Sequence, residues 1–358
     1  MDRKTFKKNK KNKRLKKRAM LIGLPIMLLI ISGAVYGGYL YTKAQNVADS
    51  SYEELEGREQ SDLREYEVDP DIDNVSVLFL GVDGSEARED ASGFENGTTR
   101  TDAIILATLN NDDKSIKLTS IPRDTLAYIP EVGIEDKINH AHAFGGPKAS
   151  MEAVEELLDV PVDYYVRMNF YAFMDVVDAL NGVEVDVPFD MYEMNSEDEK
   201  DAITLEEGRQ TVNGEEALAF VRSRYQDSDL ARGERQQEII EAILTKAKSA
   251  GSFNRYADVI DAVGENMKTN MRFSEMRSFI SYAANSDLKV DSHTLQGEGV
   301  YYNNIYYYQA YEDELEDVRA DLRDHLDLSG FASEDTDSSG LTSESGYSDN
   351  AQEDETNW

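Results

Sequence analysis

An uncharged apolar segment near the N-terminus divides this chain into two unequal parts. Residues 19–42 read AMLIGLPIMLLIISGAVYGGYLYT and contain no charged side chain. About 20 such residues are enough for one helix to cross the hydrocarbon core of a bilayer. Tyr39 and Tyr41 near the end suit a membrane interface, and membrane helices tolerate a proline such as Pro25. The segment predicts a transmembrane signal-anchor. A cleaved signal peptide is the alternative, because Ser-Gly-Ala at 32–34 could mimic a cleavage site.

The charges on either side of this segment set the expected orientation. Residues 1–18 hold eleven lysines and arginines and a single acid, Asp2. Because cytoplasmic flanks are enriched in Lys and Arg, we expect a basic cytoplasmic tail at 1–18 and everything after Lys43 outside the cell. Beyond Lys43 stand 25 basic and 70 acidic residues. Non-specific nucleic-acid binding needs a basic surface, so this class of partner is excluded.

Strand and helix patterns alternate along the acidic part of the chain. Residues 75–80 form a short apolar run ending at Gly81, and strand patterns at 103–109 and 115–121 flank a turn-rich tetrapeptide, which predicts a hairpin. Further strands are predicted at 162–168, 183–187 and 289–295, and helices at 151–158, 171–180, 213–218, 232–250, 254–267 and 273–285. Interleaved strands and helices predict one α/β domain.

The segments that flank this domain lack regular patterns. Residues 43–72 are polar and acidic and predict a stalk. Residues 329–358 are rich in Ser, Asp, Glu and Gly and predict a disordered acidic tail. The folded domain is therefore expected at 73–328. The chain has no cysteine, so disulfides and thiol chemistry are excluded.

Acidic and basic residues stand where several predicted strands begin or end. Asp83 directly follows the first strand, Arg100 and Asp102 open the next, and Arg123 and Asp124 follow its hairpin partner. Side chains just beyond strand ends commonly build the site of an α/β sheet. Each feature alone also fits a turn aspartate or a weak surface ion pair. Three such features at neighbouring strand ends favour a common site.

Four arginines lie within fourteen residues of this acidic chain, at Arg222, Arg224, Arg232 and Arg235. Residues 220–225 alternate with the period of a strand, which predicts Arg222 and Arg224 on one face. In the predicted helix at 232–250, helical spacing places Arg232, Arg235 and Gln236 on the same face as the apolar stripe. Arginine in a first helical turn interacts unfavourably with the helix dipole, and partner carboxylates such as Asp229 would offset this cost. A bound phosphate is favoured, because guanidinium grips it with two parallel hydrogen bonds.

Two of the four histidines, His140 and His142, stand close together. A zinc site would need a third ligand at a suitable spacing, and the sequence shows none there. We therefore expect both histidines to have roles other than metal binding.

These segments resemble the LytR-CpsA-Psr family of cell-wall ligases. The matching stretches cover roughly residues 74–250 in order. They are 78–83 (LFLGVD), 100–107 (RTDAIILA), 120–125 (SIPRDT), 136–146 (DKINHAHAFGG), 162–170 (VDYYVRMNF), 173–187, 212–224 and 232–240.

The resemblance implies a phosphotransferase. It would move an anionic glycopolymer, of teichoic acid or capsule type, from a polyprenyl-pyrophosphate carrier to the C6 hydroxyl of N-acetylmuramic acid in peptidoglycan. It implies that Asp83 and Asp102 hold Mg²⁺ (or Mn²⁺) on the pyrophosphate, and that Asp124 orients an arginine or accepts a proton. The groups expected to clamp the phosphate oxygens are Arg100, Arg123, Arg222, Arg224, Arg232, Arg235 and Gln236.

The expected fold is a single extracellular three-layer α-β-α domain with a mixed central sheet, preceded by one N-terminal transmembrane helix. The expected location is the cell membrane of a Gram-positive-type bacterium, and the helices at 151–158 and 171–180 are candidates for lining a lipid tunnel. Two other functions stay open. One is a membrane-tethered, non-catalytic binder or regulator of wall polymers, and the other is a polyprenyl-pyrophosphate hydrolase.

Overall fold

The structure, a computed structural model, describes the predicted domain and part of what precedes it. The described residues are 31–82, 99–197, 199–223, 229–248, 255–279, 282 and 288–328. The expected tails at 1–18 and 329–358, the first part of the expected anchor, Asp83 and Arg224 lie outside them. Within these ranges, no helix is both long and apolar enough to cross a membrane.

The strands and helices alternate as the sequence predicts. The first helix, α1, covers residues 31–51. It is followed by β1 Val75–Val82, β2 Thr101–Asn110, β3 Ser115–Ser120, β4 Leu126–Ile129, β5 Ile134–Lys137, α2 Asn139–Leu158, β6 Tyr164–Asn169, α3 Phe170–Ala179, β7 Val183–Val187, β8 Met191–Glu193, β9 Ile203–Leu205, β10 Gly208–Val212, α4 Gly214–Arg222, α5 Asp229–Lys248, α6 Tyr256–Asn266, β11 Met267–Thr269, α7 Phe273–Ser278, β12 Lys289–Thr294, β13 Gly297–Tyr302, β14 Ile305–Ala310 and α8 Glu312–His325.

The central sheet is mixed, as expected. Its six strands run in the order β11-β6-β1-β2-β3-β12 among the described residues. β1 pairs antiparallel with β2, and β2 with β3, which confirms the predicted hairpin. β6 lies parallel to β1, and β12 lies parallel to β3. The two parallel pairs require chain crossovers, which the helices supply.

The pairing register brings five strand termini to one edge of the sheet. Val82 at the end of β1 lies opposite Thr101 at the start of β2, and beside Asn169 at the end of β6. Ser120 at the end of β3 lies beside Thr294 at the end of β12. We call the edge defined by these five residues the upper edge. Side chains that flank them in sequence are thereby brought together.

Helices cover both faces of the sheet. On one face Leu78 and Leu106 pack in a core cluster with residues of α2 and α8. On the other face Val77 and Ile105 pack in a second cluster that includes Ile240 of α5. Neighbouring residues of β1 enter different clusters because successive strand side chains point to opposite faces. The result is the expected three-layer α-β-α arrangement.

Residues 52–73 lie against this domain through buried ion pairs. Arg58 donates through Nη1 and Nη2 to the two carboxylate oxygens of Glu155 at 2.9 and 2.7 Å. Arg64 donates through Nε and Nη2 to those of Asp163 at 2.9 and 2.7 Å. Two parallel hydrogen bonds fix direction as well as distance. The segment expected as a stalk is thus bound to α2 and to the start of β6.

The predicted strand at 220–225 is wrong where the structure describes it, because α4 continues through Arg222. Asn213 and Glu216 form a capping box: Asn213 Oδ1 accepts from the Glu216 N–H at 3.0 Å, and the Glu216 carboxylate accepts from the Asn213 N–H at 2.8 Å. This cap fixes the helical phase, which buries Ala217 and Phe220. Helical capping and burial therefore outweigh the local alternation of apolar and polar residues.

The chain also contains elements that the sequence did not predict. α2 begins at Asn139 rather than near 151, with non-helical backbone at Gly145 and Gly146. β13 and β14 form a hairpin whose turn residues, Asn303 and Asn304, have φ of 52° and 64°. Two consecutive residues with positive φ are typical of the tight turn that matches strand twist.

Burial lowers the pKa of two histidines in the native state. His142 is 1% exposed, and burial lowers its pKa to about 4 although Nδ1–H donates to the carbonyl of Thr99. His325 lies with its two ring nitrogens 2.8 Å from the hydroxyls of Thr108 and Ser115. Burial lowers its pKa as well.

The free energy of unfolding should therefore fall as the pH drops from 6.5 towards 4. In that window the unfolded chain binds a proton at His142 that the native state does not, so the His142 contribution is complete above pH 6.5 and is lost below it. A depression to about 4 corresponds to about 3 kcal/mol. Urea unfolding between pH 7 and 4.5 should show a weaker pH dependence in His142→Gln, which keeps a hydrogen-bond donor but does not titrate. An equal pH dependence in both proteins would contradict this assignment.

Candidate active site

Charged side chains from three elements meet at the upper edge. Arg123, in the loop after β3, donates from Nη1 to Asp102 Oδ1 in a short hydrogen bond, and its Nε lies 3.5 Å from Asp124 Oδ2. Lys137, at the end of β5, donates to Asp124 Oδ1 at 2.8 Å. All four side chains are partly buried, so their charges interact more strongly than at an open surface. The expected convergence of Asp102, Arg123 and Asp124 is confirmed.

The backbone of this loop is anchored on two sides. Pro122 follows β3 and, lacking an N–H, does not extend the ladder. The carbonyl of Arg123 accepts from the Asn139 N–H at 3.2 Å, and that of Asp124 accepts from the Tyr308 N–H at 2.9 Å. The positions of the Arg123 and Asp124 side chains are thus fixed by α2 and β14.

Asp124 is held ionised by its positive neighbours. Burial by itself raises the pKa of Asp124. The hydrogen bond from Lys137 and the charges of Arg123, Lys137 and Arg232 together outweigh burial, so the pKa lies below the ordinary 3.8. Arg232 thus contributes to the positive potential at Asp124. A carboxyl group whose pKa is lowered in this way is a weaker proton acceptor at neutral pH. Of the two roles expected for Asp124, orienting an arginine is therefore favoured over accepting a proton.

The buried stripe of α5 includes arginines, as expected. Arg232 is 6% exposed and Arg235 is 4% exposed, whereas Gln236 is half-buried. Arg235 donates from Nε to the carbonyl of Phe220 at 2.9 Å and from Nη2 to that of Ser223 at 2.7 Å. Basic side chains at a helix C-terminus can bind its last carbonyls in this way. Arg235 thus joins α5 to the end of α4, and its substrate-binding role stays a prediction.

A glycine allows α5 to lie directly on the upper edge. A Cβ added at Gly233 would be 2.8 Å from Thr294 Cγ2 and 3.0 Å from Ser120 Oγ. Ser120 and Thr294 are the last residues of β3 and β12. The close approach therefore sets the distance between the Arg232 side chain and the loop that carries Arg123.

Gly233→Ala should disturb this packing. The added methyl group would push α5 away from the strand ends, and overpacking of this kind typically costs about 1–3 kcal/mol. We expect lower stability in urea unfolding and weaker pyrophosphate binding by calorimetry. Glu234→Ala, at the exposed neighbouring position, is the matched control. Wild-type stability and wild-type binding in Gly233→Ala would show that the contact does not position the helix.

The remaining predicted arginines also flank the upper edge where they are described. Arg100 is exposed and directly precedes β2. Arg222 lies in the last turn of α4, with its guanidinium carbon 5.1 Å from the ring centroid of Phe170, which follows β6. Arg224 lies outside the described residues. The structure thus brings five of the six predicted arginines to one end of the sheet.

Of the two carboxylates expected to hold the metal ion, only Asp102 is among the described residues. No group of three or more His, Cys, Asp or Glu side chains in those residues could hold a metal ion. The second expected ligand, Asp83, follows β1 directly and lies outside them. Protein sites hold Mg²⁺ through one or two carboxylates together with substrate phosphates. A carboxylate at this edge fits such a shared ion, and Mg²⁺ stays a prediction.

Lys137 and several buried polar atoms near the upper edge were not predicted from the sequence. Thr101 Oγ1, Asn139 Oδ1 and His142 Nε2 are buried without a hydrogen-bond partner in the part of the chain that the structure describes. The only sequence signal was the run DKINHAH, which carries Lys137, Asn139 and His142 together.

Apolar surface is accessible beside the site. Phe79, in the middle of β1, is 37% exposed, whereas Val77 on the same face is 4% exposed. This face is the one covered in part by α5 and α7. The two helices predicted to line a lipid tunnel contribute to two different core clusters, with Leu157 in one and Val177 in the other, and the tunnel stays a prediction.

Comparison with known proteins identifies the class to which this fold and site belong. The LytR_cpsA_psr family model matches residues 38–324, and the chain belongs to this family. The polyisoprenyl-teichoic acid–peptidoglycan teichoic acid transferase TagT of Bacillus subtilis is 40% identical over 325 residues, covering 89% of this chain and 98% of TagT. TagU of Halalkalibacterium halodurans, named as the same kind of transferase, is 37% identical over 318 residues, covering 88% of this chain and 100% of TagU.

Solved structures agree with this family membership. TagT bound to LI-WTA superimposes with a TM-score of 0.65 at 39% identity, covering 77% of this chain and 100% of that chain. TagT with bound octaprenyl pyrophosphate lipid superimposes with a TM-score of 0.62 at 35% identity and the same coverage.

Proposed function

We propose that this protein is a phosphotransferase that moves an anionic glycopolymer from a polyprenyl-pyrophosphate carrier to N-acetylmuramic acid of peptidoglycan. The polymer is of teichoic acid or capsule type. The observation that carries the proposal is the pairing of Arg123 and Lys137 with the partly buried carboxylate of Asp124, whose pKa is also lowered by the charge of Arg232, in a chain of net charge −34. The names of the relatives, and the octaprenyl pyrophosphate bound to one of them, support it.

The arginines supply what phosphoryl transfer requires from a protein. The reaction needs neutralisation of phosphate charge and alignment of the reacting atoms, with little covalent participation. Arg123 is oriented by Asp102 and Asp124 before substrate binds, and Arg232 is held by the packing of α5. Their guanidinium groups donate pairs of hydrogen bonds to the pyrophosphate oxygens. Arg100, Arg222, Arg224, Arg235 and Gln236 complete the proposed clamp.

Asp102 and Asp83 would hold Mg²⁺ or Mn²⁺, which would supply further positive charge to neutralise the pyrophosphate.

The reaction exchanges one phosphorus–oxygen bond for another. The C6 hydroxyl oxygen of the acceptor sugar bonds to the phosphorus that carries the glycopolymer. The bond from that phosphorus to the bridging oxygen breaks, and polyprenyl phosphate leaves with the electron pair. The hydroxyl proton passes to solvent or to a base other than Asp124, whose pKa is lowered by its cationic neighbours. The product is a phosphodiester.

The lipid part of the carrier is proposed to bind along the open apolar surface at Phe79. This surface lies on β1, whose end is part of the upper edge, so a chain held there would reach the arginines with its pyrophosphate. We further propose that residues 19–42 anchor the protein in the cell membrane, with residues 1–18 inside and the domain outside. The eleven lysines and arginines of residues 1–18 support this orientation.

A transfer assay tests the proposal. Full-length protein is incubated with a synthetic polyprenyl-pyrophosphate glycan, peptidoglycan oligomer and Mg²⁺, and products are identified by mass spectrometry. We expect a phosphodiester-linked conjugate that disappears with EDTA and returns with added Mg²⁺. Arg123→Ala should reduce the rate by about 10²–10³-fold, the usual effect of removing one donor to a developing charge.

Arg209→Ala is the matched control, because this arginine is exposed and pairs with Glu184 in the separate β7–β10 ribbon. Its rate should equal that of the wild type. Release of polyprenyl phosphate without conjugate would instead identify a hydrolase. Lipid binding without any turnover would identify a non-catalytic binder.

A further inference from the structure

The β13–β14 hairpin carries tyrosines that the proposed reaction does not use. Tyr301 is 72% exposed, Tyr302 is 49% exposed, and Ile305 at the tip is 51% exposed. Residues 299–310 read GVYYNNIYYYQA and contain no Asp, Glu, Lys or Arg, although these residue types make up 30% of the chain. A neutral, exposed aromatic surface on so acidic a protein is typical of a binding surface.

The register of the hairpin arranges these rings in pairs. Tyr301 lies directly opposite Tyr306, and their ring centroids are 5.6 Å apart in an edge-to-face contact. Tyr302 and Tyr307 lie on the opposite face of the hairpin, with ring centroids 5.9 Å apart. Each face therefore presents a tyrosine pair. The ring of an exposed tyrosine offers an apolar face and a polar tip.

The base of the hairpin is bound to the loop that carries Arg123. The Tyr308 N–H donates to the carbonyl of Asp124 at 2.9 Å. The ammonium of Lys137 binds the Asp124 carboxylate and lies 5.8 Å from the ring centroids of both Tyr306 and Tyr307. The tyrosine pairs and the proposed phosphate clamp are thus joined through one lysine and one loop.

We propose that this hairpin binds the acceptor glycan strand through its uncharged sugar rings and acetamido groups. The inference rests on the proposed function. Sugar rings and acetamido methyl groups present apolar C–H faces beside hydroxyl and amide edges, which matches the amphipathic tyrosine ring. The anionic donor polymer would be matched by basic side chains, and residues 299–310 contain none. A glycan strand held on the hairpin would lie next to the loop of Arg123, where an acceptor hydroxyl is needed.

Direct binding tests this without turnover. Full-length wild type and a Tyr301→Ala/Tyr302→Ala variant are titrated by calorimetry with a peptidoglycan glycan oligomer and with chitotetraose, a neutral N-acetylglucosamine tetramer. We expect the Kd for both sugars to rise at least about tenfold in the variant. The affinity for polyprenyl pyrophosphate should not change. Tyr192→Ala, a similarly exposed tyrosine on β8, should bind the sugars like the wild type.

Other variants separate binding from folding. Tyr301→Phe/Tyr302→Phe keeps the rings and should retain most of the sugar affinity, although Tyr302 loses the 3.0 Å hydrogen bond to Gln309. Unchanged sugar affinity in the alanine variant would overturn the proposal. A loss of affinity for polyprenyl pyrophosphate in place of the sugars would also overturn it. If sugar binding depends on the tyrosines but no conjugate forms, the transferase function fails and the glycan surface stands. If conjugate forms but sugar binding does not depend on the tyrosines, the transferase function stands and the glycan surface fails.

Discussion

The paired charges around Asp124 are the interaction on which the rest of the site depends. Cations gathered at one place repel each other and lose solvation, so each is stabilised by a local counter-charge. Asp102 and Asp124 do this for Arg123, and Asp124 does it for Lys137. Partly buried charges are tolerated only when paired, so these contacts form with the fold and not with the substrate. The site is therefore organised before a phosphate arrives, which is the condition under which electrostatic catalysis is most effective.

Sheet topology determines which residues reach this centre. β1, β3, β6 and β12 all end at the upper edge, and β2 begins there. Residues far apart in sequence are therefore adjacent along this edge. The same edge receives α5 at the close contact of Gly233. It also adjoins the β13–β14 hairpin through Tyr308 and Asp124. The loop of Arg123 therefore joins the arginines at this end of the sheet to the tyrosine pairs of the hairpin.

Much of this arrangement could be predicted from sequence, and the rest depended on long-range contacts. Strand-end positions identified Asp102 and Arg123, and the helical stripe identified Arg232 and Arg235, because both signals are local and periodic. The strand at 220–225 was wrong because a capping box upstream fixed the helical phase. Lys137 could not be predicted, since it reaches Asp124 only through the β4–β5 pairing of Leu126 with Lys137. The Asn303–Asn304 turn between tyrosine-rich runs was a readable hairpin signal that the sequence predictions did not use.

The most direct test of the central claim is a crystal structure of the protein with polyprenyl pyrophosphate bound. We expect phosphate oxygens within hydrogen-bonding distance, about 3 Å, of the guanidinium groups of Arg123 and Arg232. We also expect a prenyl chain that contacts Phe79. Pyrophosphate bound at any other part of the molecule, with Arg123 still paired only with Asp102 and Asp124, would contradict the proposed phosphate clamp.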